Sequence, residues 1–260
     1  MASRPVALIT GASMGLGAEF ARLFAANGHD LVLTARSADR LASVKREVEN
    51  LHGASVRIIV ADLTDPGAPH AIRDELAAAG VEIDVLVNNA GYGMYGFFHQ
   101  ADRDGVMGMI QVNVNALVLL TRLFIDGMVA RGRGRILNVA STAAFQPGPL
   151  QPVYYASKAF VLSFTEAIAN ELKGTGVTAT ALCPGPVPTG FQERANVGDV
   201  RGLRLIMRTT PEQVVREGFD GMIRGRSVVI PGTLNKVLVF LLRFFPRNFV
   251  TAMVRRIQSH

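Results

Sequence analysis

Short apolar runs of strand length alternate with longer stretches of helical periodicity along most of the chain. The predicted strands, each bounded by turn-forming residues, are 5–10, 30–35, 56–61, 83–87, 135–140, 177–182 and 226–231. Strands that alternate with helices in this way pair in parallel through right-handed crossovers, and the helices cover both faces of the sheet. The pattern therefore predicts an α/β fold with a doubly wound parallel sheet of about seven strands.

The longest helical pattern runs from residue 103 to residue 131. Its apolar stripe is formed by Met107, Ile110, Val114, Leu117, Leu120 and Leu123. Asn113 lies among these positions, and an asparagine in an apolar setting needs hydrogen-bond partners, so it either bridges a kink or reaches a site. No linker or repeat divides residues 1–232, which are predicted to form one domain, with residues 233–260 as an extension.

The composition is that of a well-packed globular protein. Hydrophobic residues make up 49% of the 260 positions and charged residues 18%. The single cysteine, Cys183, is typical of a reducing compartment. We find no signal-peptide pattern at the start, and no uninterrupted apolar run approaches the ~18 residues of a membrane span. These features predict a cytoplasmic protein.

Positive charge is concentrated at the carboxyl end. The net charge is +6, but residues 1–200 hold 16 Lys/Arg against 18 Asp/Glu, whereas residues 201–260 hold 11 against 3. Such an end can face a phosphorylated cofactor, anionic lipid or nucleic acid. Nucleic acid is disfavoured because no basic and aromatic recognition motif accompanies the charge. The five histidines are scattered, so no metal site is predicted.

A glycine-rich turn joins the first predicted strand to the first helix. It reads TGASMGLG from Thr10 to Gly17. A strand, a glycine turn and a helix in this order present backbone N–H groups and the positive helix end to a pyrophosphate. The spacing G-x-x-x-G-x-G differs from the common G-x-G-x-x-G fingerprint, and a plain βα connection is the alternative. The turn favours a Rossmann-like dinucleotide site.

The residues after the second and third strands bear on the choice of cofactor. Ala35 cannot bind the ribose hydroxyls of NAD as a carboxylate would, whereas Arg36 offers a guanidinium to the 2′-phosphate of NADP(H). The Ser13 hydroxyl is a possible second donor, and a solvated charge is the alternative for Arg36. Asp62 either accepts a hydrogen bond from the adenine amino group or begins a helix.

Tyr154 and Lys158 lie four residues apart at the start of a long predicted helix. At this spacing the two side chains share one helix face, and a nearby ammonium lowers the pKa of a phenol because it favours the phenolate. Tyr154 is therefore a candidate proton donor or acceptor. Ser141 ends the fifth strand at the edge where open α/β sheets bind ligands. Alone, the Tyr154 and Lys158 spacing also fits an exposed helix surface.

Five motifs in a fixed order, TGASMGLG, NNAG, NVAS, YYASK and PGPVPT, give the chain a likeness to a known family. Over residues 5 to about 232 it resembles the short-chain dehydrogenases/reductases. The resemblance implies that Tyr154 protonates a carbonyl oxygen and that Ser141 donates a hydrogen bond to the same oxygen. It implies that Lys158 holds the nicotinamide ribose and lowers the pKa of Tyr154, and that Asn113 supports a water-linked proton path to Lys158.

The same resemblance implies a cofactor site made of loops at one edge of the sheet. Gly11, Gly15 and Gly17 are expected to bind the pyrophosphate. Asn89 is expected near the cofactor ribose, and Thr189 at the nicotinamide carboxamide. The other implied positions are Ser13, Leu16, Arg36, Asp62, Leu63, Ala90, Gly91, Pro184, Gly185 and Val187.

Two further parts of the chain can be compared with the corresponding parts of family members. Met14 stands where many NADP-binding members have a basic residue, so the expected NADP(H) preference rests on Arg36. Residues 190–210 occupy the position of the substrate lid and combine apolar residues with arginines. They are expected to form an apolar wall of the substrate site or, equally, a surface helix.

The extension combines apolar and basic residues in two short pieces. An apolar run at 234–245 ends at Pro246, and a basic amphipathic piece follows at 249–257. Neither piece can span a bilayer, but a basic amphipathic helix can lie on one. We favour packing on another subunit of a homodimer or homotetramer. Contact with a membrane surface and coverage of the domain's own cleft are the alternatives.

Together these features predict an NADPH-dependent oxidoreductase that transfers a hydride between nicotinamide and a hydrophobic carbonyl or alcohol substrate. The alternative is a non-catalytic NADP(H) sensor or a membrane-surface scaffold. The joint presence of Ser141, Tyr154 and Lys158 argues against that alternative, because a protein without turnover needs none of the three for catalysis.

Overall fold

A computed structural model describes residues 4–187 and 209–259 of the chain. Its strands are β1 (Val6–Thr10), β2 (Asp30–Ala35), β3 (Val56–Val60), β4 (Val85–Asn88), β5 (Gly134–Val139), β6 (Val177–Leu182) and β7 (Val228–Val229). They form one parallel sheet in the order β3-β2-β1-β4-β5-β6-β7. The predicted sheet of about seven parallel strands is confirmed.

Helices cover both faces of this sheet. They are α1 (Gly15–Ala26), α2 (Ala38–His52), α3 (Ala68–Ala78), α4 (Arg103–Ile110), α5 (Leu117–Ala130), α6 (Pro152–Glu171), α7 (Pro211–Ile223), α8 (Thr233–Leu241) and α9 (Arg247–Gln258). Neighbouring residues of β1 point to opposite sides: Ile9 packs with Phe20 and Phe24 of α1, and Leu8 packs with Ile72 and Leu76 of α3. The two resulting cores are those of a doubly wound fold.

The strand order reverses between β1 and β4, and the crevice for ligands lies at this point. Chain connections leave β1 toward one side of the sheet and β4 toward the other, so their carboxyl ends separate. The glycine turn follows β1, and the segment from Asn89 to Gly91 follows β4. The fold alone therefore brings the first two predicted motifs to one edge.

The long predicted helix contains a π-helical turn, Gln111–Ala116, between α4 and α5. The wider turn shifts which residues face inward, so a single 3.6-residue repeat cannot describe both halves. Leu117 and Leu120 are buried as predicted, but Met107 is 62% exposed, and its place in the apolar stripe is wrong. By length and hydropathy the run Arg103–Ala130 is one that could cross a bilayer. Here it packs on β4 and β5 as a core helix does.

Candidate active site

The glycine turn after β1 needs glycine at three positions for two different reasons. Gly11 and Gly15 have positive φ angles of 66° and 56°, which L side chains rarely adopt. Gly17 has no such φ, but a Cβ there would lie 2.2 Å from the carbonyl oxygen of Gly11. Gly17 therefore lets α1 pack against the turn from behind. It does not line the cavity, unlike Gly11 and Gly15, and its predicted role in pyrophosphate binding stays a prediction.

Asn89 holds the end of β4 against this turn. Its side-chain amide donates to the carbonyl oxygens of Thr10 at 2.9 Å and Gly11 at 3.3 Å. In return the Thr10 hydroxyl accepts hydrogen bonds from the backbone N–H groups of Asn89 and Ala90. The two loops of the crevice are thus one hydrogen-bonded unit, and the amide of Asn89 is already used in it.

A cavity of about 1050 Å³ occupies the crevice. Most of the predicted site residues line it: Gly11, Ser13, Gly15, Leu16, Arg36, Asp62, Leu63, Asn89, Ala90, Gly91, Ser141, Tyr154, Lys158, Pro184, Gly185 and Val187. Asn113 lies behind the wall. Thr189 and nearly all of the predicted lid, 190–210, lie outside the described residues. The structure thus brings the predicted cofactor residues and the predicted catalytic residues to one cavity.

Ser141 and Tyr154 form the polar centre of this cavity. Ser141 follows β5 and accepts a hydrogen bond from the Ala143 backbone at 3.1 Å, which fixes its hydroxyl. The hydroxyls of Ser141 and Tyr154 are hydrogen-bonded to each other. Burial raises the pKa of Tyr154 to about 12, against a smaller lowering by Ser141. Tyr154 is therefore a protonated donor at neutral pH.

Lys158 lies one helical turn after Tyr154 on α6, as predicted. Its ammonium nitrogen is 5.8 Å from the centre of the Tyr154 ring and donates to the Val139 carbonyl at 2.7 Å. Burial lowers the pKa of Lys158 to about 8. The expected lowering of the Tyr154 pKa by this ammonium is not found in the protein alone, where burial raises this pKa and the hydrogen bond with Ser141 lowers it by a smaller amount.

Asn113 lies in an irregular helix turn, which is one of the two interpretations offered for it, and it supports the site from behind the cavity wall. It lies in the π-helical turn, and its amide exchanges two hydrogen bonds with the backbone of Tyr92, at 2.9 and 3.1 Å. A third hydrogen bond, at 3.1 Å, runs to the Ser157 hydroxyl on α6. A Cβ at Gly91 would lie 3.0 Å from Asn113 Oδ1 and 3.4 Å from Lys158 Nζ. Asn113 therefore fixes the loop beside Lys158.

The far end of the cavity is positively charged. Arg36 follows β2, its side chain is 67% exposed, and its guanidinium is 3.9 Å from the Asp62 carboxylate. Arg40, in the first turn of α2, also lines the cavity, and its guanidinium nitrogen is 3.1 Å from the sulfur of Met14. Ser37, the N-terminal cap of α2, lines it as well. Sequence reasoning missed Arg40 and Ser37, although Ser37 directly follows Arg36 and Arg40 is four residues after it.

Asp62 has a local structural role that the sequence left open. One of its carboxylate oxygens accepts a hydrogen bond from the backbone N–H of Thr64 at 3.0 Å, which closes the turn after β3. Its side chain also lines the cavity. Asp62 does not begin a helix, since α3 starts at Ala68 with Gly67 as its N-terminal cap, and the adenine contact stays a prediction.

The C-terminal extension closes the other end of the cavity. The residues of α8, α9 and the turn between them that line the cavity are Asn235, Leu238, Val239, Leu241, Leu242, Phe245, Met253, Val254, Ile257 and Gln258. Gln258 donates a side-chain hydrogen bond to the Tyr155 hydroxyl at 2.6 Å. The Arg255 guanidinium lies 4.9 Å from the ring centre of Phe97. Of the three placements considered for the extension, the structure shows coverage of the domain's own cleft.

Four polar residues near this end were not predicted. Tyr95, Gln146, Gln151 and Tyr155 line the cavity between Ser141 and the extension. Tyr155 packs closely on Gly148, where a Cβ would lie 2.2 Å from its ring. Of these four, only Tyr155 could have been suspected from the sequence, because it is next to Tyr154. The other three reach the cavity through the way the loops fold, which no sequence motif indicates.

Comparison with known proteins agrees with this geometry. Residues 5–199 match the family model described as short chain dehydrogenase. The human 17-beta-hydroxysteroid dehydrogenase type 3 is 34% identical over 217 residues, which cover 82% of this chain and 67% of that protein.

Three solved structures are similar over almost the whole length. A short-chain dehydrogenase from Sphingobium yanoikuyae in complex with NADPH has a TM-score of 0.81 at 31% identity, covering 94% of this chain and 97% of that one. A 7beta-hydroxysteroid dehydrogenase has a TM-score of 0.86 at 27% identity, with 98% and 97% covered. A member from Burkholderia phymatum in complex with NAD has a TM-score of 0.82 at 27% identity, with 93% and 94% covered.

Coverage of 98% in one of these structures leaves no room for an unmatched extension of 28 residues, so α8 and α9 have counterparts there. The match to the family model spans most of the chain, and the fold and the cavity agree with it. The chain belongs to the short-chain dehydrogenase family and is an oxidoreductase that transfers a hydride between a nicotinamide cofactor and a carbonyl or alcohol group.

Proposed function

We propose that the protein is an NADPH-dependent reductase of a bulky, apolar ketone or aldehyde, or a dehydrogenase of the corresponding alcohol. One observation supports this most directly. The hydrogen-bonded pair of Ser141 and Tyr154 lies in the same cavity as the glycine turn at one end and the apolar wall of α8 and α9 at the other. A cofactor and an apolar substrate can therefore meet at the proton donor.

The proposed proton transfer follows from the protonation state of Tyr154. When bound, the nicotinamide supplies the hydride or accepts it. In reduction, Tyr154 donates its proton to the substrate oxygen as negative charge develops there, and Ser141 donates a second hydrogen bond to that oxygen. The phenolate left behind is stabilised by the Lys158 ammonium 5.8 Å from the ring centre. Proton return restores the phenol for the next turnover.

The 2′-phosphate of NADPH, which NADH lacks, is proposed to bind at the start of α2. Arg36 and Arg40 line the cavity there, and Ser37 adds a hydroxyl at the N-terminal end of the helix. Because Arg40 contacts the sulfur of Met14, it brings a cation to the place where the family's usual basic residue is missing. Among the solved relatives one is a complex with NADPH and another a complex with NAD, so membership of the family does not select the cofactor. The proposal of NADP(H) is supported by Arg36 and Arg40.

The substrate is proposed to be large and mostly apolar. The wall opposite the glycine turn is made of aliphatic and aromatic side chains, including Leu242, Phe245 and Ile257. Gln146, Gln151 and Tyr155 offer polar contacts at its edge. Two similar proteins are named for hydroxysteroids, which are rigid, apolar alcohols. A fused-ring ketone is therefore the first substrate to try.

The deciding experiment measures NADPH oxidation by wild type and Tyr154→Phe against fused-ring, long-chain and small ketones and aldehydes. We expect wild-type turnover with a bulky ketone and at least a 100-fold loss in kcat/KM for the variant, with NADPH binding retained by fluorescence. Cofactor binding with no Tyr154-dependent turnover on the whole panel would favour the non-catalytic sensor instead.

The catalytic unit is proposed to comprise residues 1–232 together with the wall supplied by 233–260, and to assemble as a homodimer or homotetramer in the cytoplasm. Exposed apolar residues on the long helices support assembly: Met107, Val129 and Phe160 point away from the core. Phe160 stacks on Phe164, with ring centres 5.9 Å apart. Light scattering after size exclusion tests the subunit count, and a monomer at micromolar concentration would contradict it.

A further inference from the structure

The extension has a second, outward side that is strongly apolar. We call this the outer C-terminal face, and it consists of Leu234, Val237, Phe240, Leu241, Phe244, Phe245 and Phe249, all exposed to solvent. Phe244 is the most exposed, at 68%. Ring contacts at 5.3 Å between Phe240 and Phe244, and at 5.4 Å between Phe245 and Phe249, make the face continuous from α8 to α9. A surface with this many exposed aromatic residues needs a partner.

The charged residues of the extension itself are all of one sign. Residues 233–259 contain five Lys/Arg and no Asp/Glu. Lys236 pairs with Glu217 on α7 at 3.4 Å, and Arg255 lies on the ring of Phe97. Arg243, Arg247 and Arg256 are exposed and form no ion pair with any residue that the structure describes. The face therefore offers unneutralised cations beside exposed phenylalanines.

We propose that the outer C-terminal face docks on the surface of an anionic lipid bilayer. Exposed phenylalanines insert at the boundary between headgroups and acyl chains, while arginines contact the anionic headgroups. The helices α8 and α9 have 9 and 12 residues, so they lie on the bilayer and do not cross it.

A second copy of the chain fits this face less well. In a two-fold symmetric contact the same patch of both subunits meets, so the cations of both copies, Arg243 and Arg247 among them, would be brought into one interface. No acidic residue of 233–259 is present to offset that repulsion. An anionic surface has the opposite charge and is complementary.

The docking face lies beside an opening of the active-site cavity. Leu238, Leu241, Phe245 and Met253 are exposed to solvent and also line the cavity, so they form its rim. With this rim on a bilayer, an apolar molecule dissolved in the lipid enters the cavity without crossing water. The docking proposal does not depend on any catalytic activity. The entry of a substrate from the lipid, in contrast, rests on the proposed reductase function.

The test is flotation of the full-length protein with two kinds of vesicle, phosphatidylcholine alone and phosphatidylcholine mixed with phosphatidylglycerol. We expect the protein to float with the mixed vesicles and not with phosphatidylcholine alone. The double variant Arg243→Glu/Arg247→Glu should bind the mixed vesicles at least about 10-fold more weakly. Its matched control, Arg46→Glu/Lys173→Glu, makes the same charge change at exposed positions elsewhere and should bind as wild type does.

A second variant examines the apolar part of the interaction. Phe244→Ser should lower the fraction that floats without any change in charge, and circular dichroism with NADPH binding checks that it is folded. The proposal is overturned if wild type stays unbound, or if Arg243→Glu/Arg247→Glu floats as well as its control. It is also overturned if these variants instead reduce the subunit count by light scattering, since the face would then belong to a second copy. Flotation needs no turnover, so failure of the reductase assay leaves this result interpretable.

Discussion

The side-chain amide of Gln258 donates a hydrogen bond to the Tyr155 hydroxyl at 2.6 Å, and the Tyr95 hydroxyl donates to the backbone carbonyl of Gln258. Tyr155 is the neighbour of the proposed proton donor Tyr154, and their rings are 6.0 Å apart in an edge-to-face arrangement. The end of the chain is thereby fixed to the helix at the centre of the site. The last helix, α9, forms part of the substrate cavity through this contact.

Removing the Gln258 amide should loosen this wall. We expect Gln258→Ala to raise KM for a bulky ketone about 3- to 10-fold, the value of one lost buried hydrogen bond, and to leave kcat for a small aldehyde unchanged. Steady-state kinetics on both substrates measure the difference. Ser259→Ala, one residue along and exposed, is the control. An equal loss on both substrates would mean that Gln258 acts on Tyr154 and does not shape the wall.

The two arginines at the start of α2 should distinguish the cofactors. We expect Arg36→Ala and Arg40→Ala each to weaken NADPH binding about 10- to 100-fold, because a charge-assisted hydrogen bond to the 2′-phosphate is lost. NADH binding should change less than 3-fold, as NADH has no such phosphate. Fluorescence titration of each variant with NADPH and with NADH measures the two losses of affinity. Equal losses for the two cofactors would refute the phosphate contact.

Reduction should slow as Lys158 loses its proton. The pKa of Lys158 is lowered to about 8 by burial, so above that pH the ammonium no longer stabilises the phenolate. The pKa of Tyr154 is raised to about 12, so the phenol still has its proton in this range. We expect kcat/KM for ketone reduction to be flat below pH 7 and to fall through about pH 8. If kcat/KM falls only above pH 10, the loss of activity comes from deprotonation of Tyr154, and the prediction for Lys158 is wrong.

The close contact behind the glycine turn should make Gly17→Ala destabilising. Its Cβ would lie 2.2 Å from the Gly11 carbonyl oxygen, so α1 must move. We expect the free energy of unfolding in urea to fall by about 1–3 kcal/mol, the usual cost of overpacking, and NADPH binding to weaken. Gly127→Ala on α5 is the matched control, since its Cβ meets only the tip of the Arg131 side chain. That substitution should be neutral or stabilise the helix by about 0.5–1 kcal/mol.

The parts of the fold that depend on local pattern were predictable. The bounds of β2 and β6 coincide with the predicted 30–35 and 177–182, because buried parallel strands are short apolar runs that end in turn residues. The glycine turn and the Tyr154 and Lys158 pair are also local, and the family motifs place them in one cavity. These are the features that a residue and its near neighbours determine.

The parts that depend on distant contacts were not predictable. The π-helical turn at Gln111–Ala116 has no sequence signal of its own, so Met107 was given an inward position that it does not have. The pKa of Tyr154 depends on how deeply the folded protein buries it, and burial outweighs the lowering by the hydrogen bond with Ser141. The contact between Gln258 and Tyr155 joins residues 103 positions apart, and nothing in the sequence around either residue indicates that they meet.

The position of α9 has a consequence for the order in which the site is built during synthesis. Helix α9 follows every strand of the sheet in the sequence, so its residues leave the ribosome after those of the dinucleotide crevice. A nascent chain is thus able to acquire the crevice before Gln258 reaches Tyr155 and completes the wall of the substrate cavity.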